Sequence, residues 1–174
     1  MQINFEIKAR YDDLDKARSI LKKIKAVYIG SDHQIDTYFQ CQRGRLKLRE
    51  GNIENSFVFY KRQDQTETKR SEVYLHTLKP HTAFKDILDR ALGVKVIVDK
   101  IRDIYFIDNV KIHLDQVRNL GSFIEIEAIG IGRETPDHIL QDQCESLCHI
   151  LMVEKHNLLS GSYSDMLQNL KSEG

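Results

Sequence analysis

Charged residues recur at every second position in segment after segment of this chain, and that alternation limits what it can fold into. Glu6 and Lys8, Lys47 and Arg49, Arg70 and Glu72, Lys100 and Arg102, and Glu125 and Glu127 are each spaced i, i+2. Strand side chains point alternately to two faces, so each such pair shares one. Lys61 and Asp115 fall on the polar faces of their own strands, while Leu46, Leu48, Val73, Leu75, Ile101, Ile124 and Ile126 occupy the apolar ones. One strand of this kind is simply half solvated. Acidic and basic pairs recurring together across many strands point instead to a shared charged surface.

The periodicity predicts strands over 1–10, 35–41, 45–50, 57–62, 70–78, 94–107, 110–117 and 123–129. Helical spacing marks 12–29, 82–92, 135–153 and 163–170. Thr135 reads as the cap of the third helix, with Pro136 in its first turn. Short turns between alternating strands require antiparallel pairing, and a closed or nearly closed barrel arranges so many hairpins economically. The expected fold class is therefore α+β, an eight-stranded antiparallel barrel with flanking helices, in a single domain spanning 1–174.

With 26 basic and 26 acidic residues the chain is formally neutral, which gives no overall field to draw nucleic acid or anionic lipid. No apolar run is long enough for a membrane span, and no leader-like start is seen. Cys41, Cys144 and Cys148 lack metal or disulfide spacing, and with a reducing environment this points to the cytoplasm.

Register arithmetic sharpens the charge pattern. A two-residue turn at Asp108-Asn109 sets Arg102 opposite Asp115. If the next turn leaves Val117 opposite Phe123, Asp115 lies opposite Glu125. Adjacent carboxylates repel unless a cation separates them, so a divalent ion is expected near Asp115, Glu125 and Glu127. Oxygen donors without thiolates suit Mg²⁺ or Mn²⁺, and Lys and Arg beside such an ion suit a polyphosphate. No Walker-type or GxGxxG loop is present. His113 shares the polar face with Asp115, whereas His33, Tyr38 and Tyr163 carry no assignment.

These residues resemble the CYTH superfamily, which includes class IV adenylate cyclases, thiamine triphosphatases and inorganic triphosphatases. The resemblance spans nearly the whole chain. It rests on Glu6-Ile7-Lys8, Asp36-Thr37-Tyr38-Phe39, Leu46-Lys47-Leu48-Arg49-Glu50, Tyr60-Lys61-Arg62, Arg70-Ser71-Glu72, Lys100-Ile101-Arg102, Leu114-Asp115-Gln116-Val117, Leu120-Gly121 and Glu125-Ile126-Glu127. It implies a triphosphate tunnel in which Lys8, Lys47, Arg49, Lys61, Arg70, Lys100 and Arg102 bind phosphate. Glu6, Glu125 and Glu127 would bind metal, with Asp115 in or beside that site, and Glu6, Lys8, Asp115, Glu125 and Glu127 would carry the chemistry. The pattern is closest to the class IV cyclase-like branch, where homodimers are usual.

Three functions are therefore expected. The first is conversion of ATP to cyclic AMP and pyrophosphate. The second is hydrolysis of thiamine triphosphate, tripolyphosphate or a nucleoside triphosphate. The third is polyphosphate binding without turnover, motivated by Asn4. That residue stands where the family's Glu-x-Glu-x-Lys strand usually has its first Glu, and it offers an oxygen but no charge.

Overall fold

The structure, a computed structural model, describes residues 1–80, 83–130 and 135–172. Its strands are β1 (Gln2–Arg10), β2 (Val27–Phe39), β3 (Arg45–Gly51), β4 (Ser56–Arg62), β5 (Lys69–Thr77), β6 (Val94–Ile107), β7 (Val110–Val117) and β8 (Gly121–Ile129). They are antiparallel throughout and close into a barrel in the order β1-β5-β4-β3-β2-β6-β7-β8. β1 is the closing strand, pairing with β5 on one side and β8 on the other, so no edge is left to pair with another chain.

The helices are α1 (Leu14–Lys23), α2 (Phe84–Leu92), α3 (Asp137–Ile150) and α4 (Tyr163–Ser172). Helix α1 is capped by Asp13, whose carboxylate accepts from the Lys16 amide at 2.9 Å. It ends well before residue 29, because Lys25 takes a left-handed φ of 59° and Val27-Tyr28-Ile29 then joins β2. The strand expected only from Ile35 thus begins at Val27, paired with Phe106 far along β6. Pro136 rather than Thr135 is the N-cap of α3, and it makes no side-chain capping bond. Part of the expected start of α2, Thr82, lies outside the described residues. No described helix is long and apolar enough to cross a membrane.

Two apolar clusters divide the packing. Outside the barrel, Phe5, Ile7, Ile112, Leu114, Ile124 and Ile126 meet Leu14 and Leu21 of α1 and Leu140 and Leu147 of α3. Inside, Val58, Val73, Val96, Val98, Val117 and Phe123 pack on Tyr163 at the start of α4. α4 therefore stoppers one end of the barrel. The Leu159 amide donates to the Lys8 carbonyl and Lys69 Nζ to the Leu159 carbonyl, which ties the approach to α4 onto β1 and β5.

Candidate functional site

The remaining interior is a cavity of about 290 Å³. Seven basic side chains line it: Lys8, Lys47, Arg49, Arg62, Lys100, Arg102 and Lys111. Asn4, Glu6, Asp36, Glu54, Glu125 and Glu127 share the same wall. Parity explains the gathering. Cross-strand partners share a face, and Glu6 pairs with Glu127, Lys8 with Glu125, Asp36 with Arg49 and Arg102 with Asp115.

Each cation already has an anion. Asp36, buried at 2% exposure, accepts from Lys47 Nζ at 2.9 Å, Lys100 Nζ at 2.7 Å, and Arg49 Nε and Nη2 at 2.8 and 3.0 Å. Burial alone would raise its pKa, but the Arg49, Lys100 and Lys47 charges hold it well below the usual carboxylate range. Arg102 forks onto both oxygens of Asp115 at 2.7 and 2.6 Å and reaches Glu125 at 2.7 Å. Against the effect of burial, that contact keeps Asp115 down at about 2. Lys8 lies 3.1 Å from Glu125 and stacks 3.6 Å over the Tyr163 ring, whose hydroxyl donates to Asp115 at 2.7 Å. Glu54 pairs with Arg49 at 3.0 Å and with Lys111. Burial pushes Lys100 down to about 7, with Arg49, Arg102 and Lys47 adding to it and Asp36 opposing. Burial likewise lowers His113 to about 3, so the imidazole is neutral at ordinary pH.

Several expectations need correction. Lys61 and Arg70 are not in the cavity; both lie on the outer surface, where Arg70 pairs with Glu72 at 3.4 Å and Asp137 at 3.0 Å. The inward face of β4 is Ser56, Val58, Tyr60 and Arg62, and that of β5 includes Ser71, Val73 and Leu75. The loop between β3 and β4 pairs Lys47 with Val58, an even position, so Arg62 faces in and Lys61 faces out. The turn into β8 is also tighter than expected, with Asn119 at φ 66° and Gly121 at φ 100°. Val117 therefore opposes Gly121, Asp115 opposes Phe123, and His113 rather than Asp115 opposes Glu125.

The remaining expected residues converge: Glu6, Lys8, Lys47, Arg49, Lys100, Arg102, Glu125 and Glu127 line the cavity, with Asp115 beneath Arg102. Sequence reasoning missed Arg62, Glu54, Lys111 and the central place of Asp36. Loop-by-loop register arithmetic would have exposed Arg62, and Lys111 shares parity with His113 and Asp115.

Among the described residues no three His, Cys, Asp or Glu side chains stand together as a ready metal cluster, because lysines and arginines sit between the carboxylates. The donor chemistry nevertheless fits a hard divalent ion at one corner. Glu6 and Glu127 are directly opposed on neighbouring strands. Asn4 Nδ2 donates to Glu127 at 2.5 Å, leaving Asn4 Oδ1 buried with no donor. An orphaned oxygen on the same face as two carboxylates suits Mg²⁺ or Mn²⁺.

A closed antiparallel barrel whose interior is lined by paired lysines, arginines and carboxylates defines a tunnel protein of the triphosphate-tunnel type. The chain belongs to the CYTH family: the CYTH domain model matches residues 2–163. A protein of Methanocaldococcus jannaschii named "Putative adenylate cyclase" is 28% identical, over 94% of this chain and 98% of that one. The solved PH1012 protein of Pyrococcus horikoshii has the same fold at TM-score 0.74 and 20% identity, covering 95% of this chain and 98% of the other. A Hippeastrum structure, described as "Putative adenylyl cyclase HpAC1" revealing a dominant triphosphatase activity, superposes at TM-score 0.59. It is 11% identical, covering 98% of this chain and 96% of that one.

Proposed function

We propose that this protein is a divalent-metal-dependent triphosphatase that hydrolyses a small linear or terminal triphosphate inside the barrel. The observation that carries this is the convergence of Lys8, Lys47, Arg49, Arg62, Lys100, Arg102 and Lys111, from separate strands, on one stoppered cavity beside a corner of carboxylates. Forked guanidinium groups bind phosphate oxygens in pairs and lysines add point charges, so a chain of phosphates is held in extended register along the wall.

Glu6, Glu127 and Glu125, with Asn4 Oδ1, would hold the ion, and bound there it neutralises phosphate charge and polarises the P–O bond that breaks. The protein's own groups do the rest. Arg102, oriented by Asp115, and Lys8, oriented over Tyr163, stabilise charge developing on the phosphoryl oxygens. α4 closes one end of the cavity to bulk solvent. Neutral His113, with Nδ1 3.7 Å from Glu125, can donate a ring N–H hydrogen bond to a phosphate oxygen.

Cyclisation of ATP is the second reading, favoured by the name of the M. jannaschii relative and by the apolar strip of Val58, Val73 and Leu75 with Tyr38 and Tyr60 in the cavity wall. Hydrolysis asks less of the site, since it requires no aligned ribose hydroxyl, and it agrees with the activity described for the Hippeastrum protein. Incubation with Mn²⁺ or Mg²⁺ and tripolyphosphate, thiamine triphosphate or ATP, followed by product separation, decides. Orthophosphate release supports the proposal, and cyclic AMP with pyrophosphate replaces it. Tight binding without any product would make the chain a polyphosphate-binding module.

A further inference from the structure

Arg62 is the basic residue whose bonding in the cavity is least complete. Its side chain is 2% exposed and pairs with Glu6. Among the described residues, its Nε and Nη2 are buried with no hydrogen-bond acceptor, and Asp64 Oδ1 lies 3.7 Å from Nε, too far to serve as one. A buried guanidinium missing two of its bonds is costly unless another partner takes them. Beside it, Glu6 and Glu127 face each other across two strands, and Asn4 Oδ1 lacks a donor. One corner thus holds both an arginine short of anions and carboxylates short of cations.

We infer that Arg62 is a displaceable internal counter-ion. It neutralises Glu6 while the carboxylates hold no metal, and it turns its two unengaged N–H edges to a phosphate oxygen when a divalent ion takes Glu6 and Glu127. This rests on the proposed metal-assisted triphosphate site and adds a consequence to it. Metal and polyphosphate strengthen each other's binding through one side chain, and the coupling is reciprocal. Metal alone must compete with a guanidinium, and polyphosphate alone meets an arginine already engaged. Only the two together leave every charge in the corner matched.

Calorimetric titration of Mn²⁺ alone, tripolyphosphate alone and each in the presence of the other tests this, using the wild type and Arg62→Met. Removing the competing cation is expected to tighten binding of Mn²⁺ alone by about tenfold, while the mutual enhancement falls from roughly tenfold to near none. Arg62→Gln, which keeps a polar tip, serves the same comparison if the methionine variant does not fold. Mn²⁺ affinity in the variant equal to or weaker than that of the wild type overturns the inference. Failure of the wild type to bind or turn over any triphosphate would sink the functional reading, whereas the Mn²⁺ comparison judges Arg62 by itself.

Discussion

Asp36 accepts from three cations while almost fully buried, so replacing it leaves Lys47, Arg49 and Lys100 facing one another without an anion. Asp36→Asn is expected to lose about 3–5 kcal/mol of stability in urea unfolding, partly restored by tripolyphosphate, which supplies the missing negative charge. Lys100 gives the site a pH signature. Its folded pKa, about 7, lies below the unfolded value of 10.5, so between those limits the unfolded chain binds more protons. This group therefore makes stability rise with pH across that window. A polyanion favours the charged lysine, so ligand affinity should fall as pH rises through 7, with proton uptake on binding that Lys100→Met abolishes. Titrations in buffers of different ionisation enthalpy measure that uptake. Asp115 has the same sense in a lower window: its stabilisation is full above 3.8 and is lost as pH falls towards 2. Tyr163→Phe removes one hydrogen bond to Asp115 and should cost about 1 kcal/mol, because Arg102 still holds both carboxylate oxygens.

At the scale of elements, alternation exposed most of β1, β3, β6, β7 and β8 because one face of each is charged and the other aliphatic. It failed for β4 and β5. Phe57 and Phe59 look like an interior face, yet they lie on the outside, half-buried, while Val58 and Tyr60 face the cavity. Which parity points inward is set by the length of each connecting loop, and local hydrophobicity cannot report that. The same blindness hid Glu54, a loop residue placed in the cavity because Asp32 accepts the Ile53 and Glu54 amides at 2.9 and 3.0 Å. Gly51 permits that fold: a Cβ there would stand 2.7 Å from Asp32 Oδ2 and from the Glu54 carbonyl oxygen. Because Glu54 occupies Arg49 and Lys111, Glu54→Gln should tighten tripolyphosphate binding about tenfold, read by calorimetry as a lower Kd.

For the whole molecule, closure of the barrel through β1 turns a formally neutral chain into one with a concentrated internal charge lattice. Net charge conceals that lattice, since it depends on which residues share an interior and not on their sum. A ligand that binds only the closed barrel stabilises it by mass action. Tripolyphosphate with Mn²⁺ at a hundred times its Kd should raise unfolding free energy by about 2.7 kcal/mol. The cavity is shielded by protein, so the affinity should depend less on salt than that of a surface patch.

Titration of tripolyphosphate in the presence of Mn²⁺ into Arg49→Met and Lys61→Met, beside the wild type, tests the interior charge lattice most directly. The inward Arg49 and the outward Lys61 carry the same charge one strand apart. Lys61→Met should bind as the wild type does and Arg49→Met at least tenfold more weakly. Equal losses in both, or none in either, would contradict a binding site inside the barrel.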